Sequence, residues 1–189
     1  MGSSVFKKAA IPNYMSGGLF IGRFQPFHLG HLEAVKFILS KEPSVIIAVG
    51  SAQYSHTPEN PFTAGERVEI IQRTLRGSGI DLTRCAIIPV PDIGEHRLWV
   101  SRVISFCPPF KKVYSNNGLV KILFEEAGFD VEPVPFFNRQ VYVATEIRKM
   151  MAPGGGWRTL LHPSAVEYLE SIDCERRLSI IMKEAGPDR

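Results

Sequence analysis

Five short apolar runs, each followed by a segment with helical spacing, constrain this chain more than any other feature of its sequence. The runs occupy residues 18–21, 44–49, 85–90, 112–115 and 129–134. The second, "SVIIAV", is apolar and β-branched nearly throughout, which suits a strand covered on both faces. Residues 29–40 place Leu32, Val35, Lys36 and Leu39 close to a 3.6-residue period. Thr63-Ala64-Gly65-Glu66 has capping-box spacing, so a helix is predicted from there to about Arg76, stopped at Gly77-Ser78-Gly79. Further helices are predicted over 98–106, ended by Pro108-Pro109, and over 119–127, ended by Gly128. Thr145 is expected to cap one more helical turn reaching Met151, broken by Pro153-Gly154-Gly155-Gly156. Helices over 163–172 and 176–184 make a C-terminal helical tail. Strands that alternate with helices predict an α/β fold: a doubly wound, parallel, five-stranded Rossmann-like sheet, here in the order 3-2-1-4-5.

The rest of the sequence narrows the class. Its 189 residues suffice for one domain, expected over 17–174 with the tail 175–189 belonging to it. The formal net charge of +3 fits a small anionic ligand as easily as nucleic acid, and no dense Lys/Arg stripe favours nucleic acid. No apolar run approaches the ~20 residues needed to cross a bilayer. Residues 1–16 carry Lys7 and Lys8 with no apolar segment behind them, so they read as a flexible leader rather than a secretory signal. Cys85, Cys107 and Cys174 are odd in number and form no Cys-x-x-Cys pair, which points to reduced thiols and a cytoplasmic protein.

Between the first strand and first helix lies "GRFQPFHLGH", residues 22–31. In a doubly wound sheet, ligands sit beyond the carboxyl ends of the strands, where the strand order reverses. With the order above, strands one and four meet there, and the loops 22–29 and 116–118 face one crevice. Three readings of His28 and His31 compete. A zinc pair needs a third protein ligand, and the nearest acid, Glu33, does not form His-Glu-x-x-His. In a plainer reading, one imidazole caps the helix while the other packs in the core. The third is an anion site, because a helix start already presents backbone N–H groups and a positive dipole end, and Arg23 stands beside it. The third is preferred, with a polyphosphate as the anion. Neither a P-loop nor a Gly-x-Gly-x-x-Gly turn is present to bind a nucleotide in another way.

The same stretch resembles the His-x-Gly-His signature of the nucleotidyltransferase superfamily. Its Arg-Phe-Gln-Pro-Phe form is similar to that of archaeal-type nicotinamide mononucleotide (NMN) adenylyltransferases. The resemblance continues through "GSAQYSHTPENPFTAGER" (50–67), Asp92 with Trp99, "PPFKKVYSNNGLVKILFEEAGF" (108–129) and "TEIRKMM" (145–151). It implies a nucleotidyltransferase fold and transfer of AMP from ATP to NMN, giving NAD and pyrophosphate, with Mg²⁺ arriving on ATP and no dedicated metal site. It also implies a homo-oligomer, a hexamer among the possibilities. Acceptors such as pantetheine phosphate or flavin mononucleotide, cytidylyl transfer, and a sensor that binds NAD or ATP without turnover are the alternatives.

Carried over residue by residue, the resemblance makes His28, His31, Arg23 and Arg148 the catalytic group. It assigns Gly22, Phe24, Gln25, Phe27, Gly30, Ser115, Asn116, Asn117 and Thr145 to ATP. It assigns Gly50, Ser51, Phe62, Asp92 and Trp99 to NMN, again with Phe24. A flat cationic nicotinamide ring suits an aromatic wall such as Trp99. The chain departs from the family pattern at Val143-Ala144, where relatives commonly have Ser-Gly, and at His96, where they can have asparagine.

Overall fold

The computed structural model describes residues 17–135, 142–151 and 155–185. The expected leader, 1–16, lies outside the described residues, as do Pro153 and Gly154 of the predicted breaker. The strands are β1 (Gly18–Gly22), β2 (Val45–Val49), β3 (Cys85–Pro89), β4 (Lys112–Tyr114) and β5 (Asp130–Glu132). The helices are α1 (Leu29–Lys41), α2 (Ala64–Gly77), α3 (His96–Phe106), α4 (Gly118–Glu126), α5 (Ala144–Met150), α6 (Pro163–Ser171) and α7 (Cys174–Ala185). The sheet runs β3-β2-β1-β4-β5, parallel at every pairing, in agreement with the sequence.

Alternation along the central strands sends side chains to both faces. Phe20, Ile47 and Tyr114 join Val35 and Ile38 of α1 and Ile70 and Ile71 of α2 on one face. Leu19, Ile46 and Val113 join Val103 of α3 and Phe124 of α4 on the other. Each such aliphatic side chain contributes roughly 1.5–3 kcal/mol by leaving water. β1 and β2 are accordingly buried along most of their length, whereas the edge strand β3 is only half-buried.

Two boundaries differ from expectation for identifiable reasons. Helix α3 begins at His96, two residues earlier than its apolar pattern, because the polar His96 and Arg97 extend it. Val143, not Thr145, is the N-cap of α5, and no side chain caps that end. Thr145 lies inside the first turn, where its hydroxyl accepts from Arg148 Nη2 at 3.4 Å. The tail folds back on the chain's own core: Trp157, Cys174 and Leu178 are buried there. Arg177 of α7 grips Glu66 through two bonds of 2.7 and 2.8 Å, and so holds the first turn of α2.

Candidate active site

The turn between β1 and α1 is organised by its two histidines. His28 is the N-cap of α1, and its Nδ1 accepts the His31 backbone N–H at 3.3 Å. His31 Nδ1 returns the favour to the His28 N–H at 3.2 Å. This is a capping box built from imidazoles instead of a hydroxyl and a carboxylate. The rings stack with centroids 3.6 Å apart and planes 20° from parallel, and Phe24 and Phe27 pack against His31. An Nδ1 that accepts an N–H carries no proton, so each neutral ring bears its proton on Nε2, across from the helix backbone. Burial pulls the His28 pKa down to about 4. Burial, aided by the His28 charge, holds His31 well below the usual imidazole range. At neutral pH the pair is therefore two uncharged N–H donors, and capping and anion binding are compatible roles for the same residues.

Both rings line a cavity of 540 Å³ together with Gly22, Phe24, Gly30, Ser115, Asn116, Asn117, Tyr142, Val143 and Ala144. Among the described residues, no carboxylate lines it. Gly30 is closely packed: a Cβ there would come within 3.0 Å of Tyr142 Cβ and 3.1 Å of His28 Nδ1, so these neighbours would have to give by a few tenths of an ångström. The polar groups of the β4–α4 loop are already engaged. Asn116 bonds the Val134 backbone in both directions, Asn117 caps α4, and Ser115 Oγ accepts from Asn117 N–H at 3.1 Å.

A second cavity, of 360 Å³, shares Ile21, Gly22 and Asn117 with the first, so the two adjoin at the end of β1. Arg23, Gly50, Ser51, Asp92, His96 and Trp99 line it. Trp99 is set edge-on against Phe124 at 5.7 Å. Asp92 accepts from the Ser51 hydroxyl at 2.6 Å and the Ser51 N–H at 3.3 Å. Ser51 has φ +52° and Phe24 has φ +51°, a left-handed conformation that non-glycine side chains seldom adopt.

The sequence-predicted residues thus divide into three groups. His28, His31, Gly22, Phe24, Gly30, Ser115, Asn116 and Asn117 line the larger cavity, and Arg23, Gly50, Ser51, Asp92 and Trp99 the smaller. Gln25, Phe27, Phe62, Thr145 and Arg148 line neither. Gln25 is buried and clamps the Phe62 backbone through bonds of 3.0 and 3.1 Å; Phe62 and Phe27 are fully buried. Arg148 stands behind the turn, donating to Pro58 O at 2.8 Å and Gln25 O at 3.0 Å. Sequence reasoning missed Tyr142, which lies nearly parallel to the His28 ring at 5.8 Å, and Arg67, a fully buried guanidinium beneath both cavities. Tyr142 had a signal in its place just ahead of the arginine segment. Arg67 had none, because arginine on the first turn of an amphipathic helix reads as a solvated residue.

A parallel sheet in this order, with paired imidazole donors at the end of β1 and two adjoining cavities, fits the nucleotidyltransferase class. Comparison with known proteins agrees. A cytidylyltransferase-like family profile matches residues 19–150. The nicotinamide-nucleotide adenylyltransferase of Ignicoccus hospitalis is 49% identical over 87% of this chain and 97% of its own length. That of Archaeoglobus fulgidus is 50% identical over 84% and 93%. A bifunctional NMN adenylyltransferase/ADP ribose pyrophosphatase from Francisella tularensis, solved with AMP and a manganese ion, shares the fold. It has a TM-score of 0.73 at 24% identity, over 89% of this chain and 52% of that longer one. The chain belongs to the cytidylyltransferase-like family and, within it, to the nicotinamide-nucleotide adenylyltransferases.

Proposed function

We infer that the protein transfers AMP from ATP to nicotinamide mononucleotide, giving NAD and pyrophosphate. The observation that carries this reading is an imidazole-walled cavity, with no carboxylate among its described lining residues, adjoining a second, tryptophan-walled one at Gly22 and Asn117. A phosphate oxygen of NMN attacks the α-phosphorus of ATP, the bond from that phosphorus to the bridging oxygen breaks, and pyrophosphate leaves. The nucleophile is already anionic at neutral pH, so no strong base is needed. Rate comes from aligning two anions in line and dispersing the charge that develops.

In this proposal ATP fills the larger cavity, and the Nε2–H groups of His28 and His31 donate to its phosphates. Arg23, on the lining of the smaller cavity and next to the shared Gly22, lies where the two phosphates meet. Phe24, Gly30, Ser115, Asn116 and Asn117 shape the nucleotide wall, while Gln25 and Phe27 hold the turn from behind. Arg148 and Thr145 support the same turn from outside the cavity lining, and the two of Arg148's five N–H groups that carry no bond among the described residues are proposed for the outer phosphates. Trp99 faces the nicotinamide ring, Asp92 and Ser51 stand near its carboxamide, and Gly50 and Phe62 support that wall. Among the described residues, no three His, Cys, Asp or Glu converge as a metal site. With no carboxylate among the described residues lining the larger cavity, a divalent ion fits as a passenger on the ATP phosphates, and Mg²⁺ is the proposed ion. Among the described residues no helix is long and apolar enough to cross a membrane. A cytoplasmic homo-oligomer acting on these small molecules, without nucleic acid, completes the proposal.

Purified protein supplied with ATP, Mg²⁺ and NMN is expected to release pyrophosphate and form NAD, with pantetheine phosphate and flavin mononucleotide much slower as acceptors. Binding of both substrates without product would sink the activity and favour a sensor.

A further inference from the structure

We propose that Arg67 is a positioning residue for this transfer, holding the loops of the two substrate cavities in one register from inside the fold. The inference rests on the assignment of ATP and NMN to the two cavities. Its geometry is unusual for a charged side chain. Arg67 is fully buried, and four of its five N–H groups go to backbone carbonyls. Nη1 donates to Arg23 O at 2.9 Å and to Gly50 O at 2.7 Å, Nη2 to Ser51 O at 3.1 Å, and Nε to Thr63 O at 3.3 Å. One planar group thereby joins the turn after β1 to the turn after β2.

The bonded carbonyls flank the two left-handed residues of the site. Arg23 O immediately precedes Phe24, which lines the larger cavity, and Ser51 O belongs to Ser51, which lines the smaller. Such conformations persist where the surroundings over-determine them. Asp92 fixes the N–H and hydroxyl of Ser51, and Arg67 fixes its carbonyl. The origin of the guanidinium is equally constrained. Its neighbour Glu66 closes the Thr63 capping box and is gripped by Arg177, so the α2 turn that carries Arg67 is tied down from both sides. A lysine cannot reproduce the fork: one ammonium cannot reach carbonyls spread around the edge of the guanidinium, from Nε to both terminal nitrogens. An apolar residue would take away the donors to Arg23 O and Gly50 O, while Ser51 O and Thr63 O would keep only the backbone N–H groups of Tyr54 and residue 67.

The test compares Arg67→Lys and Arg67→Gln with Leu75→Ala, a fully buried change in the same helix away from both cavities. Activity is measured per folded molecule at a temperature where circular dichroism shows all of them folded. Misplacing aligned reactants by about 1 Å can lower turnover about 10²-fold. The Arg67 variants are expected to lose about that much kcat with both substrates saturating. Each substrate alone, titrated by calorimetry, is expected to bind within about tenfold of wild type, and Leu75→Ala to keep wild-type kcat. Equal kcat in all the folded variants would make Arg67 merely structural, and a loss confined to one substrate's KM would limit it to one cavity. Should neither Arg67 variant fold, wild-type hydrogen exchange decides. Mg-ATP alone should slow exchange at the Ser51 amide and NMN alone at the Gln25 amide; no effect across the cavities would overturn the proposal. Exchange needs binding without turnover, so an absence of NAD formation by wild type would count against the activity and leave this test standing.

Discussion

The two cavities share an edge at Gly22 and are built on opposite plans. The larger takes its chemistry from one local motif: His28 and His31, three residues apart, cap each other's backbone and present paired donors. The smaller is assembled from Arg23, Ser51, Asp92 and Trp99, which come from three separate loops and a helix, and is fastened by bonds between residues about 40 positions apart. Local construction gives the phosphate side a rigid, neutral donor pair. Distant construction gives the acceptor side a wall set by tertiary packing. The largest effect should therefore come from altering the local motif. His31→Asn keeps an oxygen where Nδ1 now accepts the His28 N–H, and removes the donor on the far side of the ring. We expect a loss of 10²–10³-fold in kcat, roughly 3–4 kcal/mol of transition-state stabilisation, with little change in thermal stability. Pyrophosphate release measured at saturating NMN checks it, and an unchanged turnover would remove His31 from the chemistry.

The same local construction carries a pH signature. His28 titrates near its ordinary pKa of 6.5 in the unfolded chain and at about 4 in the folded one. Between those values the unfolded state binds more protons, so folding stability is complete above about pH 6.5 and falls as the pH drops toward 4. The shift corresponds to at most roughly 3 kcal/mol. Urea unfolding of wild type and His28→Asn across that window isolates the contribution, because asparagine is itself a good N-cap. Parallel curves would show that the imidazole is not held neutral by burial.

The contrast also explains what could be read before any coordinates. Alternating apolar runs determine strand order because parallel pairing with helical crossovers leaves few arrangements. Thr63 and Glu66 close their box as their spacing predicts, and His28 and His31 use that spacing too. Thr145 has the position for a cap but Arg148 three residues on, so no carboxylate reaches back to the helix start, and the cap falls at Val143. The long-range partners left no trace. Arg67 and Arg148 look like surface charges in a helical pattern, and their burial follows from carbonyls brought to them by distant loops. Gln25 and Phe62 make the same point: 37 residues apart, they meet through a two-bond clamp that no periodicity encodes.

A smaller effect is expected on the acceptor side. Trp99→Ala removes the aromatic face proposed for the cationic ring, an interaction of about 0.5–2 kcal/mol. The KM for NMN should rise about tenfold while the KM for ATP moves less than about twofold. Steady-state kinetics with each substrate varied in turn decides it. If the ATP value moved instead, the cavity assignments would have to be exchanged.

The smallest change tests whether the phosphate side can be improved by completing its local plan. Helix α5 starts at the cavity edge with no side-chain cap, and Val143, its N-cap, is exposed in the extended conformation that capping requires. A serine there can accept from the N–H of Thr145 or Glu146 without altering the backbone. Val143→Ser is expected to add about 0.5–1 kcal/mol of stability, which for a chain of this size raises Tm by about 1–4 °C. Calorimetry with and without Mg-ATP separates the two contributions: a gain in both states reports the cap, and an additional gain with nucleotide reports a new hydroxyl on the phosphate wall. An unaltered Tm in the free protein would mean that the first turn of α5 already has its amides satisfied by solvent, and that the uncapped start imposes no stability penalty on the site it borders.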